Sequence, residues 1–213
     1  MIHSSEQWCP TKAAVSVDRR RGSAQMDRAE ILQGIKADSL VERMIGVARL
    51  DQKTFDEIEA DQTAVPQAAT VVLIAAVATG IGSIPEAGIV GLIVGPVFAM
   101  AGWALFSAMA YLIGTRLLAG PETKADVGEV LRTLGFAQTP GVISAIAFIP
   151  VLGVLVSLVA GIWGLITAVI ALRTSLDVST GRAIGIGLLA AIAAGAIMAP
   201  FAFMLGLSAL AVA

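Results

Sequence analysis

RTLGFAQTPGVISAIAFIPVLGVLVSLVAGIWGLITAVIALR, from Arg132 to Arg173, holds no charged residue and no histidine between its two terminal arginines. It exceeds the roughly 20 apolar residues that an α-helix needs to cross the hydrocarbon core of a bilayer. It lacks the period-two alternation of a barrel strand, and an open sheet cannot satisfy its backbone in lipid, so the run is helical. Lys and Arg are in excess on cytoplasmic flanks, and this run has an arginine at each end. Both ends then lie on one side, which requires an even number of crossings. Two short helices fit, turning near Pro150-Val-Leu-Gly153, where proline and glycine supply the break. Each arm is close to the minimum length, and a re-entrant hairpin that never fully crosses is the alternative.

Outward from this run the same reading repeats. No charged residue lies between Asp61 and Glu86, between Glu86 and Arg116, or after Arg182. The run from Gln67 to Ser83 leads out to a short turn around Pro85 and Glu86. The run from about Ile89 to Thr115 leads back, and the run from Ala183 to about Leu207 leads out again. The 14 Lys and Arg residues fall before the first span, at Arg116, Lys124 and Arg132, and at Arg173 and Arg182. Charge parity therefore predicts an all-α, polytopic membrane helix bundle. It has five transmembrane helices, a cytoplasmic N-terminus and the C-terminus outside. No signal peptide precedes the first apolar run, which is expected to serve as its own insertion signal.

Composition agrees. Mean hydropathy is +0.86, with 57% hydrophobic and 14% charged residues, proportions that suit neither a soluble domain nor a disordered chain. The net charge of −2 gives no reason to expect nucleic acid as a partner. Cys9 is the one cysteine and His3 the one histidine, both in the N-terminal tail. Catalytic Ser-His-Asp and Cys-His sets and the usual zinc sites are thereby excluded from a membrane-embedded centre, and no cofactor or metal is expected. The spans contain no ionisable residue, which argues against proton relays and ion-coupled carriers. Their hydroxyls, such as Ser107, Ser144, Ser157 and Thr167, have no base beside them and make poor nucleophiles.

The chain divides into three regions. Residues 1–25 form a disordered tail, 26–66 a cytoplasmic amphipathic helical region, and 67–209 the transmembrane domain. In the middle region the pairs Ser39/Glu42 and Thr54/Glu57 match capping boxes and predict helices around 40–50 and 55–61, packed on the bundle. Small residues recur four apart at Gly91/Gly95/Ala99, Gly153/Ser157/Gly161 and Gly187/Ala191/Gly195. Such stripes let helix backbones approach closely. Packing within the bundle is the expected use, and contact with a second copy or another membrane protein the alternative. Pro96 and Pro200 predict kinks, Trp103 and Trp163 packing inside the spans, and Tyr111 an interfacial position.

Ordered along the chain are Leu131-Arg-Thr-Leu-Gly-Phe-Ala-Gln-Thr-Pro140, Ala147-Phe-Ile-Pro150, Ile162-Trp163, Ala171-Leu-Arg-Thr-Ser-Leu-Asp177 and Ser179-Thr-Gly-Arg182. With the lead-in Phe55-Asp-Glu-Ile-Glu-Ala-Asp61, they resemble the prokaryotic branch of the Yip family, the Ypt/Rab-GTPase-interacting membrane proteins. The resemblance covers about residues 40–205. It implies a cytoplasmic N-terminal region, five spans and a non-enzymatic role in membrane organisation or protein partnering. The Asp-Leu-Tyr-Gly-Pro signature of the eukaryotic members is missing, and their Gly-Tyr pair stands here as Gly135-Phe136. Those departures argue against a Rab-type GTPase as partner. Gly135, Phe136, Pro140, Pro150, Trp163, Arg173 and Arg182 are the candidate interaction or structural residues. A small transporter or permease subunit with a neutral polar path is the alternative.

Overall fold

The computed structural model describes residues 39–120, 123, 125–149 and 151–212. The tail expected over 1–25, the stretch 26–38 and Pro150 lie outside the described residues. Two compact units divide at Glu42/Arg43. The boundary falls within helix α1, which covers 39–48, so α1 from Arg43 onward and every later element belong to the second unit.

After α1 come α2 (Gln52–Ala60), α3 (Val65–Gly82), α4 (Ile84–Leu112) continued by a π-helical turn (Ile113–Leu117), α5 (Val127–Phe136), a 3₁₀ helix (Thr139–Ile146), α6 (Leu152–Ser175) and α7 (Thr180–Val212). The described residues contain no strand. Four helical segments are long and apolar enough to cross a bilayer: Val65–Gly82, Ala87–Leu117, Leu152–Ser175 and Thr180–Met204. The protein is an all-α polytopic membrane bundle.

Local sequence explains the helix limits. Helix α2 starts at Asp51, whose carboxylate accepts from the Lys53 N–H, and not at Thr54 as expected. The Thr54 hydroxyl instead donates to Asp51, because an aspartate three residues upstream outcompetes it as the cap. Helix α5 carries a true capping box, with Asp126 accepting at its first turn and Glu129 reaching back to the Asp126 N–H. Within α4 the helix breaks at Gly88, with φ 62° and ψ −166°, a conformation that a Cβ forbids. This break lies at the start of the spanning segment Ala87–Leu117, close to the start near Ile89 that its charge-free run predicts. The helix continues through Pro96, and α7 continues through Pro200.

The fifth crossing is where sequence and structure part. The charge-free run predicts two short α-helices between Thr133 and Leu172. One arm is α6, a full-length helix. The other is the last turn of α5 followed by the 3₁₀ helix, whose bonds run from Gly141 N–H to Gln138 and from Ala147 N–H to Ser144. This arm lies along α3 from end to end. A Cβ at Gly135 would stand 2.7 Å from that of Ala68, one at Gly141 3.4 Å from that of Ala75, and one at Gly82 would strike the Ser144 carbonyl. Geometry favours the tighter helix, since 3₁₀ rises about 2.0 Å per residue against about 1.5 Å for α. A short segment thereby keeps pace with α3. Val151, at φ 68°, then turns the chain into α6.

The tight core lies at the charged end. Val47, Phe55, Ile58, Val71, Val130, Leu134, Phe136, Leu172, Leu176 and Ile186 are all fully buried there or nearly so. Toward the other end the helices show apolar faces, with Ile89, Val97 and Val154 exposed. The stripes pack closely only in part, at Gly153 against the Ala147 carbonyl and at Gly187 against Leu172. Gly95, Gly161 and Gly195 face open space, and the tightest backbone approaches are at Gly82, Gly135 and Gly153. Small-xxx-small spacing arises readily in Ala/Gly-rich sequence, so the pattern alone does not select which face packs.

Candidate functional site at the charged end of the bundle

Helix α2 buries Phe55 and Ile58 against α5 and α6. Its last carbonyls, like those of any helix, lack intrahelical partners. Arg132, only 3% exposed, supplies them. Its Nε donates to the carbonyls of Ile58 (3.0 Å) and Glu59 (2.7 Å), and its Nη2 makes a further short bond to Glu59. Glu129, one turn before it on α5, pairs with the guanidinium at 3.7 Å. The side of α5 facing α4 is held by Trp103, whose indole N–H donates to the Leu131 carbonyl at 3.1 Å.

Two further clasps join separate segments. Gln52 donates to the Thr174 hydroxyl at 2.8 Å and accepts from Arg173 at 3.3 Å, tying the start of α2 to the end of α6. Arg43 donates to Asp61 at 2.7 Å and to Gln67 at 2.9 Å, tying its own part of α1 to the start of α3. Bonds from the Thr63 hydroxyl and N–H, with Arg43 beside them, hold the Asp61 carboxyl below its usual range. Between α2 and the α6–α7 turn lies a depression of about 300 Å³ lined by Gln52, Asp56, Glu59, Arg173, Thr174 and Asp177. Glu59 sits half-buried at its floor. Burial first, then the charges of Asp177, Glu129 and Asp56, raises its pKa from 4.5 to about 7, against the opposing pull of Arg132.

The candidate residues spread over this end and beyond. Gly135 and Phe136 are buried where α5 meets α3, and Pro140 is buried at the start of the 3₁₀ helix. Trp163 is half-buried along α6, while Arg173 and Arg182 are exposed at the α6–α7 turn. Arg182 lies over Gly120. Thr167, beneath Trp163, donates to the Ala137 carbonyl and so joins α6 to the end of α5. Arg132 and Glu59 were missed as site residues. Arg132 stood in the sequence only as a marker of sidedness, though its i,i+3 pairing with Glu129 signals a structured arginine. Chemically, the depression offers the carboxyl groups of Asp56, Glu59 and Asp177 with Arg173 beside them. No group of three His, Cys, Asp or Glu side chains is placed to hold a metal among the described residues.

Four apolar helices of spanning length under a locked polar cap define a multi-pass integral membrane protein. Its family is set by comparison: the model of the Yip1 domain matches residues 46–210, and the chain belongs to that family. Comparisons with curated proteins and with solved structures gave no match.

Proposed function

We propose that this chain is a non-enzymatic Yip-family protein of the prokaryotic branch, in a bacterial cytoplasmic membrane, which works by contacting other proteins at its charged end. In this reading α1, α2, the 116–138 region and the 173–183 turn face the cytoplasm. The 133–149 arm makes the fifth crossing, because it tracks α3 over its whole length. The C-terminal end of α7 is outside.

One observation carries the reading. Arg132, Gln52 and Arg43 join segments far apart in sequence, so the three Lys/Arg-flanked regions form one continuous surface. A surface held this way is preorganised, and preorganisation lowers the cost of binding. The acidic side chains Asp56 and Asp177 beside Arg173 suit a partner with basic side chains. Purification in several mild detergents with native mass spectrometry tests it. A partner should be retained by the wild type and lost from the double variant Asp56→Lys, Asp177→Lys. Recovery of the wild type alone and monomeric in every detergent overturns the proposal.

A further inference from the structure

Hydroxyls of the bundle fall into three groups. Thr70, Thr115, Thr133 and Thr167 donate to main-chain carbonyls, as lipid surroundings demand. Ser107 and Ser175 are buried without a partner elsewhere in the bundle, and Thr79, Ser144 and Ser157 together line one cavity of about 500 Å³ between the end of α3, residues 144–153 and the start of α6. Across Thr79 and Ser83 it adjoins a second cavity of about 290 Å³, floored by Gly91, Gly95, Ala99 and Gly102 and ending at Trp103 and Gln138. A Cβ on Gly95 or Gly102 would meet nothing within 4 Å, so the floor is open.

The cleft has a depth, a polarity and a direction of opening. From Val72 to Ser83 the α3 wall runs eleven residues, about 16 Å at about 1.5 Å each. That is close to half of the roughly 30 Å hydrocarbon core, or one leaflet. Its hydroxyls cluster at the end remote from α2, and among the described residues no charged side chain lines it. Beside it stand Ile93, Val97, Val151 and Val154, between 67% and 82% exposed, so it opens sideways among lipid-facing residues. Backbone outside regular helix, here residues 147–149 and Val151, is tolerated at membrane depth only when buried in protein or lining such a cavity.

We propose that this cleft holds a glycerolipid of the leaflet remote from α2. Its acyl chain lies on the glycine floor of α4, and its ester oxygens accept hydrogen bonds from Thr79, Ser144 and Ser157. The hydroxyls sit where the ester region of that leaflet lies, and the groove beyond them has the length of a chain. The charged headgroup stays outside, consistent with an uncharged lining. A helix from a second copy satisfies its own backbone and would leave the three hydroxyls unpaired.

The test uses the full chain in vesicles of phosphatidylethanolamine and phosphatidylglycerol containing a photoactivatable diacyl phospholipid. Labelling should concentrate on residues 79–102 and 144–157. It should fall about tenfold in Thr79→Val/Ser144→Ala/Ser157→Ala and in Gly95→Leu, and stay unchanged in Gln138→Leu. Hydrogen exchange of α2 at the wild-type rate certifies that each variant is folded, and Gly102→Leu replaces Gly95→Leu if that variant is not. Labelling spread evenly over α4, α6 and α7 overturns the proposal. So does a wild-type dimer that Gly95→Leu dissociates, which would give the groove to a second copy. Equal loss in Gln138→Leu also overturns it, because a small polar solute would use both polar ends.

Discussion

Replacing Arg132 by methionine removes the guanidinium while keeping most of the buried aliphatic stem. What is lost is a set of charge-assisted bonds to the carbonyls of Ile58 and Glu59 and a partner for Glu129. Hydrogen bonds to charged groups are worth about 1.5–3 kcal/mol each. Set against them is the desolvation of a guanidinium that is 3% exposed, a cost that methionine does not carry. The net loss should be about 2–4 kcal/mol in the docking of α2, or about thirty- to a thousand-fold in its opening equilibrium. Hydrogen exchange in detergent micelles reads this directly, as faster exchange of the amides from Phe55 to Ala60 with α3 and α6 unchanged. Arg132→Lys should fall between, since an ammonium keeps the charge but not the fork that reaches two carbonyls. Exchange of α2 within twofold of wild type, or an equal rise throughout α3 and α6, would refute the assignment of Arg132 as the latch.

Three further outcomes are expected. Glu59 has a higher pKa docked (about 7) than free (4.5), so the docked state binds more protons between those values; docking is strongest below pH 4.5, weakens as pH rises to 7 and is level above. Glu59→Gln should abolish that slope, matching wild type near pH 4 and slowing α2 exchange relative to it at pH 8; parallel profiles would count against the shift. Phosphatase and fluorescent-protein fusions after Leu118 and Leu176 should report cytoplasm, and fusions after Ile149 and Met204 the outside. A cytoplasmic signal after Ile149 would deny the fifth crossing. Gly135→Leu, with Ala68 at 2.7 Å from the new Cβ, should cost about 1–3 kcal/mol by overpacking and lower the melting temperature in micelles; an unchanged transition would show that α3 and α5 can separate.

Much of the membrane architecture was legible because charge and hydropathy are local. The gaps bounded by Asp61, Glu86, Arg116 and Arg182 mark three of the four spanning segments, and the restart expected near Ile89 lies close to the break at Gly88. The arm from Thr133 to Ile149 was legible as apolar but not as 3₁₀. That choice depends on the length of α3 beside it, a tertiary constraint that no window of sequence contains. The site was less legible still. Arg132 meets its carbonyls 73 and 74 residues away, and Gln52 meets Thr174 at a separation of 122. Pairings at such distances leave no periodic trace. An arginine beside an apolar run reads as a mark of sidedness whether or not its head is buried.

Arg132 also ties sidedness to packing. The Arg132 charge at the start of the 133–149 arm is engaged by the carbonyls of α2, so it is not a free surface cation. In the proposed orientation, the depth of α5 and the docking of α2 are one property: if α5 entered the membrane further, the guanidinium would leave Ile58 and Glu59 and enter lipid unpaired, which is costly. The large buried side chains, Phe55, Phe136, Leu172 and Leu176, gather around this point, while the remote halves of α4, α6 and α7 offer apolar faces to lipid. Rigidity is therefore concentrated where a protein partner would bind, and adaptable surface where lipid would. A change that loosens Arg132 should disturb protein contacts at the charged end while leaving the hydroxyl-lined cleft intact. A change at Gly95 should do the reverse, and this pair of opposite responses separates the two roles experimentally.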